Sequence, residues 1–218
     1  MHLFDMRRIW MMVMGNLCIG IAVSLLRLSH FGTDPFSTMN LGVSGFIDVS
    51  FGVYQLIFNL FILIIQFIFA RNAIGVGTIV NMVGIGFISD FFVYGYQELF
   101  GPSPLIVTKI IFLLISVVIV GIGVALYMTA DMGISPWDAM PLVIQNISHN
   151  KIPFIWARMM QDILGVVIGF SFGAVVGVAT VIMAFGIGPL VQYFRKHLTE
   201  PLLRNNRAAL SASINLNK

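Results

Sequence analysis

Six apolar runs, at residues 9–28, 52–70, 74–94, 105–130, 153–172 and 174–194, constrain this chain more than anything else in it. A helix needs about 20 residues to cross roughly 30 Å of hydrocarbon, and each run is near that length. In hydrocarbon an unpaired amide costs several kcal/mol, so only helices and closed barrels can span. Barrel strands alternate polar and apolar residues over about ten positions, whereas these runs are continuously apolar. Charge agrees: 10% of the residues are charged and 58% hydrophobic, against about a quarter charged in an average soluble domain. The expected fold is an all-α polytopic membrane protein forming one membrane domain over 1–194, with a polar tail over 195–218.

The first run follows Arg7-Arg8 and so resembles a secretory signal, but Leu28-Ser29-His30-Phe31 is a poor cleavage site. It is read as a permanent span. Loop charges set the orientation. With the N-terminus inside, Arg7, Arg8, Arg71, Lys151, Arg158, Arg195, Lys196, Arg204, Arg207 and Lys218 are cytoplasmic, and only Arg27 and Lys109 lie outside. Both termini are therefore expected in the cytoplasm. The end of the tail is expected to be disordered.

The chain repeats itself. Gly20-Ile21-Ala22-Val23-Ser24-Leu25 returns 101 positions later as Gly121-Ile122-Gly123-Val124-Ala125-Leu126, and Gly32-Thr33-Asp34-Pro35-Phe36 returns as Gly133-Ile134-Ser135-Pro136-Trp137. After one inserted residue the spacing is 102: Gly75-Val76-Gly77-Thr78 matches Gly177-Val178-Ala179-Thr180, and Gly84-Ile85-Gly86 matches Gly186-Ile187-Gly188. Each unit, about 9–94 and 105–194, holds three spans. An odd number makes the second unit enter the membrane from the opposite side, which predicts two inverted repeats with a site at their interface.

Two short apolar segments, 36–46 and 137–147, follow the first span of each unit. Asp34-Pro35 and Ser135-Pro136 read as their starts, because Asp and Ser cap helices and Pro suits the first turn. Asp138 stands three places after Ser135, as in a capping box. Two readings are open. Either the segments are re-entrant half-helices whose N-terminal ends line a polar cavity able to hold an anionic group, or they are capped helices lying on each membrane surface, with Phe36 and Trp137 at headgroup level.

Polar residues within spans supply further candidates. Asn16, Asn59, Asn81, Gln161 and Asp162 could form a hydrogen-bonding substrate cavity or simply join helices; Asn59 and Gln161 hold equivalent positions 102 apart. Arg158 and Asp162, four residues apart, are expected to pair, and Asp90 could pair with Lys109. Either aspartate could instead couple to protons. The glycines, including Gly84, Gly86, Gly186, Gly188 and the Gly165/Gly169 pair, are read as close-packing positions. Cys18 is the one cysteine, so no intramolecular disulfide can form. His2, His30, His149 and His197 are dispersed without metal-ligand spacing, and no nucleophile motif occurs. No metal, cofactor, catalytic residue or nucleic-acid partner is expected, and the chain is not read as an enzyme.

The paired Gly-Ile-x-Val and Gly-x-x-Pro-Phe/Trp motifs, above all Gly133-Ile134-Ser135-Pro136-Trp137-Asp138, resemble those of the YczE/YyaS/YitT family of bacterial integral membrane proteins, in its YczE-like branch. The first copy departs from the motif, with Phe36-Ser37 in place of Trp137-Asp138. The resemblance implies a multi-pass protein of the bacterial cytoplasmic membrane. Architecture adds the leading expectation, a small permease for a small-molecule solute. Asp34, Pro35, Ser135, Pro136, Trp137, Asp138, Asn16, Asn59, Asn81, Gln161 and Asp162 would form its site. The alternative is a non-transporting scaffold or regulatory subunit of a biosynthetic or export complex. Six spans also make a homodimer in the lipid bilayer plausible.

Overall fold

The computed structural model describes residues 6–102 and 104–203. Among them there is no strand. The helices are α1 (Met6–Ser29), α2 (Pro35–Phe46), α3 (Phe51–Phe69), α4 (Val76–Phe100), α5 (Ile106–Ala130), α6 (Pro136–Ile147), α7 (Phe154–Ser171) and α8 (Val178–Phe194). α1, α3, α4, α5, α7 and α8 with its continuation to Leu203 are long and apolar enough to cross a membrane. Their exterior carries Phe61, Ile64, Phe67, Phe91, Leu114, Phe170 and Phe185, all more than half exposed. Water would not solvate that surface, and lipid does.

The expected segments all appear, most with ends shifted by a few residues, and two helices reach well past their expected ends. α4 runs past residue 94 to Phe100 and stops at Gly101, whose φ is 90°, just before Pro102. α8 is likewise prolonged: a π-helical turn, Arg195–Thr199, carries the helix on to residue 203. Thr199 explains the continuation, because its hydroxyl is fully buried and meets Thr129 Oγ1 on α5 at 2.6 Å. The expected disordered end of the tail, 204–218, lies outside the described residues.

α1 is the most enclosed span and pairs with α5. The two run antiparallel: Arg8 at the start of α1 donates to the carbonyl of Ala130 at the end of α5, at 3.0 Å. Midway, Gly15 lies against the backbone of Gly123 and Tyr127. Ile19, Ala22, Val23 and Leu26 then pack with Val120 and Tyr127. α4 runs parallel to α1. Asn81 Nδ2 donates to Asn16 Oδ1 at 2.8 Å, and Arg27 pairs with Asp90 at 2.7 Å further along.

That last pair corrects an expectation. Asp90 is joined to Arg27, not Lys109, and its second oxygen accepts the Gly52 N–H at 2.7 Å. Arg27 also lies over the Phe51 ring, 4.6 Å from its centroid. The reason is the α1–α4 pairing, which brings Arg27 beside Asp90 while Lys109 sits on the first turn of α5. These groups line a wide-mouthed depression of about 680 Å³ between the ends of α1 to α4.

The close-packing reading of the glycines holds in part. Gly86 lies on Gly52, Gly42 on Gly169, and Gly165 against the Pro35 carbonyl. Gly188, by contrast, has nothing within 4 Å of where a Cβ would stand, and at Gly84 and Gly186 the nearest atoms are at 3.6 and 3.7 Å. Those three make no close approach, because they lie on the outward sides of α4 and α8.

The two halves grip each other reciprocally. The loop before α6 is held by the start of α4: Gly77 N–H donates to Met132 O, Ile134 N–H to Ala73 O, and Thr78 Oγ1 to Ile134 O, each at 2.8 Å. The loop before α2 is held by the start of α8, where Ala179 N–H donates to Phe31 O at 2.9 Å. Ala179 is Gly77 moved 102 positions, and Phe31 is Met132 moved back 101. Gly32 and Gly133 turn these loops with φ of 96° and 111°.

Candidate functional site

α2 and α6 begin as expected. Asp34 caps α2, its carboxylate accepting the Ser37 N–H at 3.0 Å, with Pro35 in the first turn. Ser135 caps α6: its Oγ accepts the Asp138 N–H at 3.2 Å and donates to Asp138 Oδ2 at 2.7 Å, with Pro136 in the first turn. Such a cap contributes about 1 kcal/mol to its helix.

The two starts meet. Phe36 and Trp137, the same position in the two copies of the repeat, stack with ring centroids 4.7 Å apart. The contact lies midway along the long helices, since Trp137 packs with Ile62 of α3 and receives a hydrogen bond from Gln161 of α7. The far ends diverge. Asn146 on α6 donates to Phe69 O at the end of α3, whereas Phe46 at the end of α2 packs on Phe172, just past α7.

Pro141 explains the Gln161 contact. In a regular helix residue 141 would donate its N–H to the Trp137 carbonyl, and proline has none. Gln161 Nε2 takes that place at 2.9 Å. In the other copy Asn40 stands where Pro141 does and donates its side-chain amide to the equivalent carbonyl, Phe36 O, at 2.8 Å.

Charge gathers at the same level. Arg158 donates from Nη1 to Asp138 Oδ1 at 2.7 Å and from Nε to Asp162 Oδ2 at 3.0 Å, so the expected Arg158–Asp162 pair is present as half of a bridge. Asp34 lies within electrostatic reach of both Arg158 and Asp162. Two carboxylates thus hold one guanidinium with a third in electrostatic reach, and the N-terminal ends of α2 and α6 face their own aspartates. Asp34 and Asp138 thus stand at the helix starts where an anionic group was expected.

Several polar atoms here are buried without a partner: Trp137 Nε1, Gln161 Oε1, Asp162 Oδ1 and Asn59 Oδ1. The Tyr127 hydroxyl, also bare, lies beside Ser135 and Asp138. Leaving such a group unpaired costs about 1–3 kcal/mol each.

The model for the family described as "Family of unknown function (DUF6198)" matches residues 6–196. The chain belongs to the DUF6198 family. Among curated relatives it is similar to an uncharacterized protein of Haemophilus influenzae, 27% identical over 81% of this chain and 78% of the relative. It is likewise similar to the uncharacterized protein YyaS of Bacillus subtilis, 27% identical over 88% of this chain and 94% of YyaS. The uncharacterized membrane protein YczE of the same organism is 23% identical over 82% and 81%. These matches bear out the resemblance to YczE and YyaS, and the chain is a membrane protein of that group. No solved structure matches it.

Within this DUF6198 chain the candidate residues divide into two sets. Asp34, Pro35, Ser135, Pro136, Trp137, Asp138, Gln161 and Asp162 converge where α2 and α6 meet. Asn59 lies one turn from Ile62 on the buried side of α3, in a stripe with Gln55 and Gln66. Asn16 and Asn81 do not join the site: they bond to each other between α1 and α4, and Asn16 also donates to Met12 O. Such interhelical bonds contribute about 0.6 kcal/mol on average in membranes.

Arg158 and Tyr127 belong to the site although neither was a candidate. Arg158 reads in sequence as a cytoplasmic charge near the start of a span. Its position four residues before Asp162 was the available signal. Tyr127, on the last turn of α5 but eight residues before Ser135, carried none.

Proposed function

We propose that this chain is a small-solute permease whose site lies where α2 and α6 meet, between two halves of opposite orientation in the membrane. One observation carries the reading: the half-helix starts stack through Phe36 and Trp137 midway along α3 and α7, beside buried polar groups that lack partners. Helix starts directed at a midplane site are the construction used by transporters with inverted repeats. The antiparallel run of α1 and α5, which are equivalent helices, supports the inversion. The Lys and Arg distribution supports cytoplasmic termini. On this reading each half-helix enters from one face and returns to it, and rocking of the α1/α5 pair exposes the site to either side.

Single cysteines at Asp34, Asn59, Ser135 and Asp162, in a Cys18→Ala background, test the proposal in intact cells and inverted vesicles. The expected outcome is labelling of all four by small thiol reagents, from both sides, with side preference that changes with conditions. Labelling at Asp34 from outside and Ser135 from inside only, with Asn59 and Asp162 silent, would describe a sealed core. The permease would then give way to the scaffold.

A further inference from the structure

We infer that the meeting point of α2 and α6 binds one monovalent cation, a proton or an alkali-metal ion, at Asp162 Oδ1. The idea that this ion drives transport rests on the permease reading; the binding itself does not.

The argument begins with charge. Asp138 and Asp162 bond to one guanidinium, Arg158, and Asp34 lies within its electrostatic reach. Each of the two helix N-termini adds about half a positive charge. About one negative charge is left over beside Asp162, whose side chain is 16% exposed, and a charge so enclosed attracts a counter-ion or a proton.

The hydrogen bonds say which carboxylate holds it. Asp138 uses both oxygens, Oδ1 on Arg158 and Oδ2 on Ser135. Asp34 gives Oδ1 to the Ser37 N–H, and neither of its oxygens is buried without a partner. Asp162 gives Oδ2 to Arg158, while its Oδ1 is buried and bare.

A second, independent group points the same way. Gln161 is 8% exposed, and its Nε2 is fixed on the Trp137 carbonyl, which can only accept. Its Oε1 must therefore be the free end, a buried acceptor on α7 without a donor, beside the first turn of α6. Gln161 reaches α6 at Trp137, and Asp162 reaches it through Arg158 at Asp138, the next residue, so the two bare acceptors flank one turn; they suit a proton or an oxygen-coordinated cation and repel an anion. The other titratable groups facing Asp162 are Asp34 at the start of α2, Asp138 on α6 and Arg158 on α7 itself, with Tyr127 of α5 beyond Asp138.

The test uses the full chain, purified in detergent, with Trp10→Phe and Trp156→Phe so that Trp137 alone reports. Sodium, potassium and lithium are titrated at constant ionic strength against N-methylglucamine, and pH is titrated separately. The expected result is a saturable, single-site change in Trp137 emission and in melting temperature. An alkali response that protons compete away identifies a metal ion, and a response to pH alone identifies a proton. Asp162→Asn should abolish the response in either arm while melting like the ion-saturated parent. Should that variant fail to fold, Gln161→Met must weaken the ion midpoint at least tenfold. No saturable response in the parent, or an unchanged one in the folded variant, overturns the inference. Ion binding with thiol-silent site positions would instead sink the permease reading and leave a structural ion.

Discussion

Replacing Arg158 with Gln is expected to remove most of the protein from the membrane. The substitution leaves Asp138 and Asp162 without their shared cation, each having contacted it within 3.0 Å. Breaking a fully buried pair costs about 3–5 kcal/mol. Arg158 and Asp138 side chains are 36% and 40% exposed, so about 2–3 kcal/mol is the better expectation. A loss of that size is a large fraction of a marginal stability and lowers steady-state level several-fold. Adding Asp138→Asn to Arg158→Gln should restore much of the loss, because it removes one of the stranded charges. Asp138→Asn alone should be mild, since Arg158 keeps Asp162. Arg158→Lys should recover only part, because an ammonium lacks the fork that holds two carboxylates at once. Melting temperature and membrane level of the four variants check the ordering. A mild Arg158→Gln would mean that water solvates the cluster.

The second large effect is expected from Gly133→Ala. Its φ of 111° is one that alanine seldom adopts, and an added Cβ would stand 2.5 Å from Gly75 N and 2.7 Å from Thr78 Oγ1. Relieving the clash requires the start of α4 to release the loop before α6, with the bonds to Met132 O and Ile134 O. Strain and overpacking together should cost at least about 3 kcal/mol. Gly32→Ala should behave alike, since its Cβ would meet Thr180 Oγ1 and Gly177 N. Gly173→Ala is the control: φ is 88° there, but nothing lies within 4 Å. It should lose only about 1 kcal/mol, the cost of left-handed backbone alone. Equal losses at Gly133 and Gly173 would mean that the reciprocal grip between the halves contributes little.

Most of the fold was legible because each element carries a local signal. Asp34-Pro35 and Ser135-Pro136 mark helix starts, and the apolar runs have the length of a span. The repeat also aligned Gly75-Val76-Gly77-Thr78 with its partner before any contact was known. Partnerships were harder to read, because they depend on which helix lies beside which. Asp90 stands 19 residues from Lys109 in the chain but meets Arg27, 63 residues away. Asn16 and Asn81 look like cavity residues singly, and only the parallel run of α1 and α4 makes them a pair. Gln55 and Gln66 hide among the apolar residues of α3, yet both are buried there. Arg158 is the most instructive case. As a charge near the start of a span it signals orientation, and it becomes the centre of the site only because α6 begins at mid-bundle. The helix starts were legible from residues that also set their charge: Asp34 caps α2, and Asp138 stands in the first turn of α6 behind its Ser135 cap.

The account turns on the two half-helix starts meeting inside the bundle, and a cross-link tests that most directly. Cysteines replace Phe36 and Trp137 in a Cys18→Ala background, and a protease site is introduced in the link between α4 and α5. After treatment with a short bifunctional thiol reagent in native membranes and cleavage, the two halves should stay joined on a denaturing gel. The partners stack at 4.7 Å, and the link should be absent from either single-cysteine control. Halves that separate, with each cysteine modified from an opposite face of the membrane, would place α2 and α6 on the two surfaces and contradict the account.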